Sequence, residues 1–236
     1  MGALRTSLSS PASKGPYVRR LFATIADRYD FITVFLSFGL DRGWKRRVAE
    51  LADVRGGARA LDLASGTGDI AFEVARRGAR VTALDITLRM LELARAKNAQ
   101  AAALVVGDMM ALPLADDSFD IVTTGYGLRN VPELTPAIDE IRRVLRSGGV
   151  LVSLDFNRPA NSLVRGVYLT YLTIVGSALG LVLHRDPDTY RYIPESIRRY
   201  PGAGAVSALL ERRGFTAARV IPVLGGLMAI NVARKA

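Results

Sequence analysis

Three carboxylates and one glycine turn carry the chemistry that this sequence can do. Asp62 stands within LDLASGTGD at 61–69, an apolar run that breaks at Gly66 and Gly68 and resumes with helical spacing. Glycines there let the backbone turn tightly and come close to a ligand. The spacing of Gly66, Gly68 and Ala71 also satisfies a loose dinucleotide fingerprint, and Asp62 separates the two readings. Dinucleotide sites usually carry an apolar residue at that place, and an acid suits a cation better than a pyrophosphate. Asp85 closes the next apolar run, where a carboxylate accepts hydrogen bonds from both hydroxyls of a ribose. Its competing role is to cap the helix that follows. Asp108 ends the third run and can accept from an adenine amino group, with Met109 offering an apolar edge and a backbone amide; its competing role is a solvated turn. A cation, a ribose and an adenine held in one crevice describe S-adenosylmethionine.

The elements that position these acids are legible as a pattern. Residues 59–63, 80–84, 102–106, 119–124 and 150–156 are short apolar runs rich in Val, Leu and Ala, and read as buried parallel strands. Helical patterns at 69–77, 87–99 and 132–145 separate them, the second opening on Thr87 as a cap and the third ending at Ser147-Gly148-Gly149. The alternation predicts an α/β, Rossmann-like, seven-stranded, mostly parallel sheet with helices on both faces. After Phe156 it stops, so residues 157–200 form a helical insertion able to act as a lid. A last helix at 203–213 leads to closing strands at 218–223 and 226–233. Residues 18–51 read as an N-terminal helical cap, and residues 1–17, rich in Ser, Pro and Gly, as a flexible, solvated arm. The expectation is one domain over 18–236.

Composition removes several classes of function. The chain has no Cys, hence no disulfide framework, thiolate metal site or cysteine nucleophile, and no metal site is expected. Methylation at C5 of a pyrimidine generally needs that nucleophile. Exocyclic amines of bases are usually held by an Asn/Asp/Ser-Pro-Pro-aromatic element after the fourth strand, where this chain has Thr123-Thr124-Gly125-Tyr126. An electron-rich hydroquinone, a phenol or an amine remains as acceptor. The net charge of +10 favours an anionic surface. Residues 166–183 carry no charge, which raises the question of a membrane span. A span there would divide the sheet between two sides of a bilayer, so a buried or surface-apposed helix is expected instead. His184 reads as a helix-end surface residue.

Further elements carry a resemblance. Tyr29-Asp30, Ser37-Phe38-Gly39-Leu40, Trp44-Lys45-Arg46, the 61–69 motif, Tyr126-Gly127-Leu128-Arg129-Asn130-Val131 and Tyr190-Arg191-Tyr192-Ile193-Pro194-Glu195-Ser196-Ile197 resemble the ubiquinone/menaquinone biosynthesis C-methyltransferases. The Gly-Leu-Arg-Asn-Val element and the Tyr-Arg-Tyr block are the specific ones. The resemblance implies methyl transfer to a polyprenylated quinol, with demethylmenaquinol or a related naphthoquinol favoured. It places Thr67, Asp85, Asp108 and Met109 against the cofactor, and Tyr29, Tyr126 and Asn130 on the acceptor side. Three positions depart from the family's pattern: Gly125 where some members have a cofactor-contacting Ser, Thr33 for an Asn, and Asp41 for a His. Expected partners are a lipid-soluble quinol and a membrane surface bound peripherally, not nucleic acid; a homo-oligomer is compatible with the sequence. The expected location is the bacterial cytoplasm, or an organelle in a eukaryote.

Carbon methylation of a quinol requires a phenolic proton to leave. Arg129 follows the fourth strand, where its guanidinium would stabilise the phenolate; the competing role is a structural salt bridge. Tyr126, Asp41, Asp30 and water are the candidate routes for the proton, and the sequence does not rank them.

Overall fold

The computed structural model describes residues 2–159 and 161–236. Seven strands form one sheet in the order β3-β2-β1-β4-β5-β7-β6. They are β1 (Arg59–Leu63), β2 (Arg80–Asp85), β3 (Ala103–Val106), β4 (Phe119–Gly125), β5 (Leu145–Phe156), β6 (Phe215–Val223) and β7 (Met228–Lys235). The first five pair in parallel, and β7 runs antiparallel to both β5 and β6. Alternate residues of each strand face opposite sides. Leu61, Leu63, Val122 and Leu151 therefore pack on one side with α7 (Leu134–Val144) and α10 (Ala203–Arg212), while Ala60, Val152 and Ile230 pack on the other with α4 (Asp41–Leu51) and α5 (Asp69–Arg76). Helices on both faces of a mostly parallel sheet make the Rossmann-like architecture expected from the sequence.

Parallel β1, β2 and β4 end at the same edge, with Asp62 beside Ala83 on β2 and Thr123 on β4. That register brings the strand ends to one crevice, where open α/β sheets bind ligands. The helix α6 (Leu88–Asn98) follows β2, but its N-cap Thr87 makes no side-chain cap bond. Ser147-Gly148-Gly149 does not simply end a helix. It bulges within β5, between the pairs Phe119–Leu145 and Ile121–Val150.

One departure from the sequence pattern matters for the site. The segment expected as a solvated arm is helical: α1 spans Gly2–Ser7 and α2 spans Pro11–Ile25. Ser10 caps α2 by accepting from the Ser13 amide at 3.3 Å, and Pro11 opens it, so the residues that looked like loop composition are a helix start. Leu4 and Leu8 are buried with Leu21, Ile25, Tyr190 and Tyr192, which ties this end to the insertion. The insertion consists of α8 (Ser162–His184) and α9 (Asp188–Arg199). α8 is long and apolar enough to cross a membrane by length and composition, with mean hydropathy 1.8 over an 18-residue window of which 22% is buried. One further helix, α3 (Tyr29–Leu36), joins α2 to α4 through a short helical turn at Ala26–Arg28.

Candidate active site

Each acid read from the sequence sits where a strand ends. Asp62 is fully buried, accepting from Thr123 Oγ1 at 2.7 Å and from the Ala71 amide at 3.1 Å. Burial pushes its carboxyl up to about 7, against the pull of those two donors. Asp85 accepts from the Gly66 amide at 2.8 Å and the Thr87 amide at 2.8 Å, and burial raises it too. One carboxylate thus fixes the glycine turn and the start of α6 while lining the crevice, so its helix-start role does not remove it from reach of a ligand. Asp108 accepts from the Met110 amide at 2.9 Å, with Met109 buried beside it. Gly68 has φ +88°, and a Cβ there would fall 2.5 Å from the Phe72 ring, so the turn needs glycine twice over.

Two small pockets continue from these residues. One is lined by Asp85, Ile86, Asp108 and Met109 and covered by Gly15, Val18 and Phe22 of α2. The other is lined by Asp62, Ser65, Thr67 and Asp69. Thr67 donates to Asp30 Oδ1 at 2.5 Å and accepts from Lys97 at 2.8 Å. Gly125 lines both, and a Cβ at that position would lie 2.6 Å from Ile70 Cδ1, so a Ser there would require Ile70 to move.

A third cavity, of about 670 Å³, opens between α2, α3, α8 and α9. Its lining is apolar and aromatic, and Arg129 is the one charged residue in it among the described residues. Tyr29 and Tyr126 line all three spaces, so the tyrosines stand where they meet. Tyr126 adopts φ +61°, a left-handed backbone that non-glycine residues take at a cost. Its hydroxyl donates to Asp41 at 2.5 Å, and burial together with Asp41 holds its phenol well above the usual range. Burial pushes Tyr29 up to about 12.

Arg129 is held from several sides. Its Nη1 donates to Ser196 Oγ at 2.7 Å and to Asn130 Oδ1 at 3.2 Å, and its guanidinium lies 4.7 Å from the centre of the Phe156 ring. Nε faces Asp155 Oδ1 at 3.2 Å and makes no aligned hydrogen bond. The salt bridge foreseen as an alternative is thus present, and the same side chain lines the cavity. Asn130 departs from the expected placement. Its amide donates to Tyr126 O at 2.6 Å and accepts from Tyr192 at 2.7 Å, and it borders the pocket of Asp85 rather than the apolar cavity.

The ubiE/COQ5 methyltransferase family matches the chain over residues 11–235. The chain belongs to that family. A ubiquinone/menaquinone biosynthesis C-methyltransferase UbiE of Paracoccus denitrificans is 40% identical over 209 residues, covering 86% of this chain and 84% of its own. A demethylmenaquinone methyltransferase of Roseiflexus castenholzii is 36% identical, with 89% of each chain covered. A solved S-adenosylmethionine-dependent methyltransferase of Thermotoga maritima shares the fold, with TM-score 0.68 at 18% identity over 93% of this chain and 100% of that one.

The residues of this methyltransferase fit the methyl donor its family implies. Among the described residues Ser65 Oγ is buried without a hydrogen-bond partner in the pocket of Asp62, and Thr87 Oγ1 is buried beside Asp85 without a well-aligned one. A polar ligand spanning both pockets would satisfy two groups that are otherwise costly to bury. Several residues escaped sequence reasoning. Lys14 donates to the carbonyls of Arg129 at 3.0 Å and Val131 at 2.6 Å, fastening α2 to the loop after β4. Tyr192 and Ser196, four apart and hence on one face of α9, hold Asn130 and Arg129. Asp155 had a readable signal, as the one acid in the apolar run 150–156.

Proposed function

We propose that this methyltransferase moves a methyl group from S-adenosylmethionine to a ring carbon of a polyprenylated quinol, with demethylmenaquinol or a related prenyl- or phytyl-naphthoquinol as acceptor. The observation that carries the reading is the apolar cavity of about 670 Å³, which meets the crevice of Asp62 and Asp85 at Tyr29 and Tyr126 and has Arg129 as its one charge among the described residues. Small-molecule sites span about 300–1,000 Å³, so this space suits a ring with the first part of an apolar tail. The names of the Paracoccus and Roseiflexus relatives point to the same acceptor class.

When bound, S-adenosylmethionine supplies a methyl group on a sulfonium, which a carbon nucleophile can take. Asp62 would face its cationic methionine end, Asp85 its ribose and Asp108 its adenine. Gly66, Thr67 and Gly68 would shape the turn around it, and Met109 would pack on the base. Arg129 lowers the cost of ionising the acceptor hydroxyl and holds the resulting phenolate, while Asp155, Ser196 and the Phe156 ring keep the guanidinium in place. Tyr29 and Tyr126 orient the ring at the junction, and Asn130 steadies Tyr126 and Tyr192.

The tail would enter from a bilayer. Phe31, Phe35 and Phe38 and, on α8, Leu163 and Val167 are exposed, and Phe38, Leu163 and Val167 also line the cavity. Exposed apolar residues around an apolar mouth on a chain of charge +10 suit peripheral docking on an anionic membrane. The direct test supplies the purified protein with labelled S-adenosylmethionine and demethylated naphthoquinol or benzoquinol in vesicles. Label is expected in the quinol, faster in the naphthoquinol. Label in a water-soluble amine or phenol and none in either quinol would overturn the proposal.

A further inference from the structure

We propose that Asp41 takes up the proton lost by the acceptor hydroxyl, receiving it through Tyr126 and passing it through Lys45 and Asp69 to solvent. The inference rests on the phenolic acceptor proposed above and adds the route by which its proton leaves.

The geometry is a continuous chain of short contacts running outward. Tyr126 lines the apolar cavity and both cofactor-side pockets, and its hydroxyl donates to Asp41 Oδ1 at 2.5 Å. The other oxygen, Asp41 Oδ2, lies 2.6 Å from Lys45 Nζ, which in turn donates to Asp69 Oδ2 at 2.9 Å. Side-chain exposure climbs along it, from 2% at Asp41 through 9% at Lys45 to 37% at Asp69. Asp69 ends the chain in an open cleft that it shares with Arg42, Arg46, Arg76 and Lys97. Burying a carboxylate and an ammonium together carries a desolvation cost that their attraction often fails to recover. A tyrosine hydroxyl needs only a neutral acceptor, so a buried ion pair behind it suggests a purpose other than stability.

The other acids nearby are less suited. Asp155 accepts from the amides of Arg129 and Phe156 and is paired with the guanidinium. Asp30 is 43% exposed, is held by Thr67 and Lys97, and is not part of the cavity lining. The titratable groups around Asp41 are Tyr126, Lys45 and Tyr29. Burial keeps Tyr126 a phenol well above the usual range, so it can relay a proton but not retain its negative charge.

The acceptor O–H bond breaks as its proton moves to Tyr126 Oη, while the Tyr126 proton moves to Asp41. Lys45, which Asp41 and Asp69 hold protonated against the pull of burial, passes one proton to Asp69 in the same step as it takes the one on Asp41, and Asp69 releases its proton to water. The electron pair left on the acceptor oxygen is delocalised to the ring carbon, which forms the new carbon–carbon bond as the methyl–sulfur bond breaks. The ring proton then leaves to water as aromaticity returns, and the phenolate so regenerated takes one proton back from water, so the net release is one proton per turnover.

The test measures single-turnover methylation of demethylated naphthoquinol at pH 6–9.5 in wild type, Asp41→Asn, Tyr126→Phe and the double variant. Each single variant should lose about 10²-fold in rate, the lower end for general acid–base groups, with cofactor affinity within about twofold of wild type. The double variant should be no slower than the worse single one, because residues acting as a unit are non-additive. The deficit should shrink as pH rises, since hydroxide then ionises the acceptor directly. In mixtures of light and heavy water, the wild-type rate should curve with deuterium content and that of Tyr126→Phe should be linear. Tyr126→Phe removes one oxygen and keeps the ring, so it carries the test if Asp41→Asn fails to fold. Wild-type rates in Tyr126→Phe, losses that multiply, or a deficit constant across pH would overturn the relay. A wild type inert toward quinols would overturn the acceptor proposal and the relay with it, whereas an active wild type with equally active variants overturns the relay alone.

Discussion

Arg129→Gln is the most direct probe of the acceptor chemistry, and the structure requires it to be run with a compensating change. Arg129 and Asp155 are both nearly inaccessible, with side chains 6% and 4% exposed and Nε 3.2 Å from Oδ1. Removing the guanidinium alone strands a buried carboxylate, and breaking a buried pair typically costs about 3–5 kcal/mol, which is a large share of a domain's stability. Burial already raises Asp155, with Arg129 opposing it, so loss of Arg129 raises that carboxyl further. The folded state then holds a proton that the unfolded chain has given up. The single variant should be least impaired at low pH and should lose stability as pH rises through the interval between the two pKa values. Its turnover at neutral pH would mix a folding defect with a catalytic one. Arg129→Gln combined with Asp155→Asn removes both charges and keeps side chains of similar shape. Its melting temperature should fall much less than that of the single variant. Its turnover should fall about 10²–10³-fold, the loss expected for one anion-stabilising donor, at nearly unchanged cofactor affinity. Calorimetry, thermal melts and single-turnover methylation separate these quantities. A folded double variant that keeps more than about a third of wild-type turnover would refute the phenolate role and leave Arg129 as a structural ion.

Asp85→Ala should weaken S-adenosylmethionine by about 1.5–3 kcal/mol by calorimetry, as for hydrogen bonds to a charged group. It should also lower the melting temperature of the ligand-free protein, because the amides of Gly66 and Thr87 lose their acceptor. Asp62, pushed up to about 7, gives cofactor affinity that rises with pH to about 7 and then levels, and this slope should vanish in Asp62→Asn. Lys14→Met should free α2 from the carbonyls of Arg129 and Val131 and loosen cofactor binding, seen as faster amide exchange in α2 and a faster off-rate. Binding to anionic vesicles should weaken as salt rises, and Phe38→Ser with Leu163→Ser should reduce it further; vesicle co-sedimentation that ignores both changes would count against the docking face.

The parts legible in the sequence were those fixed by short-range pattern. Asp62, Asp85 and Asp108 were readable because a parallel sheet repeats one local grammar, an apolar strand followed at once by a turn and a helix, and the polar residue at each junction has one crevice to face. The N-terminal segment is ambiguous for a related reason. Ser10 and Pro11 have the composition of a loop, yet they are also the cap and first-turn residues of a helix, and only the burial of Leu4 and Leu8 against Tyr190 and Tyr192 decides which. Those partners lie more than 180 residues away, beyond what local periodicity can report.

The polar network behind the cavity was illegible in a different sense. Asp41 replaces the His expected by family resemblance, and nothing in the sequence says what it meets. In the structure it meets Tyr126, 85 residues distant, and Lys45, one helical turn along α4. The pairing with Lys45 follows from spacing four on a helix, but the contact with Tyr126 exists because the left-handed backbone at Tyr126 holds its ring between the cavity and α4. The pair of Asp41 and Lys45 lies behind Tyr126, the pair of Arg129 and Asp155 lies beside the same Phe156 ring that Tyr126 packs on, and each pair balances its own charge before any ligand enters. Ionising a hydroxyl there creates one uncompensated negative charge. Arg129 can answer it only by sharing attraction already given to Asp155, and the relay answers it only if the proton reaches solvent. Together these constraints make methyl transfer sensitive to both pairs, so a change at Asp41 and a change at Arg129 should each raise the pH at which turnover becomes fast.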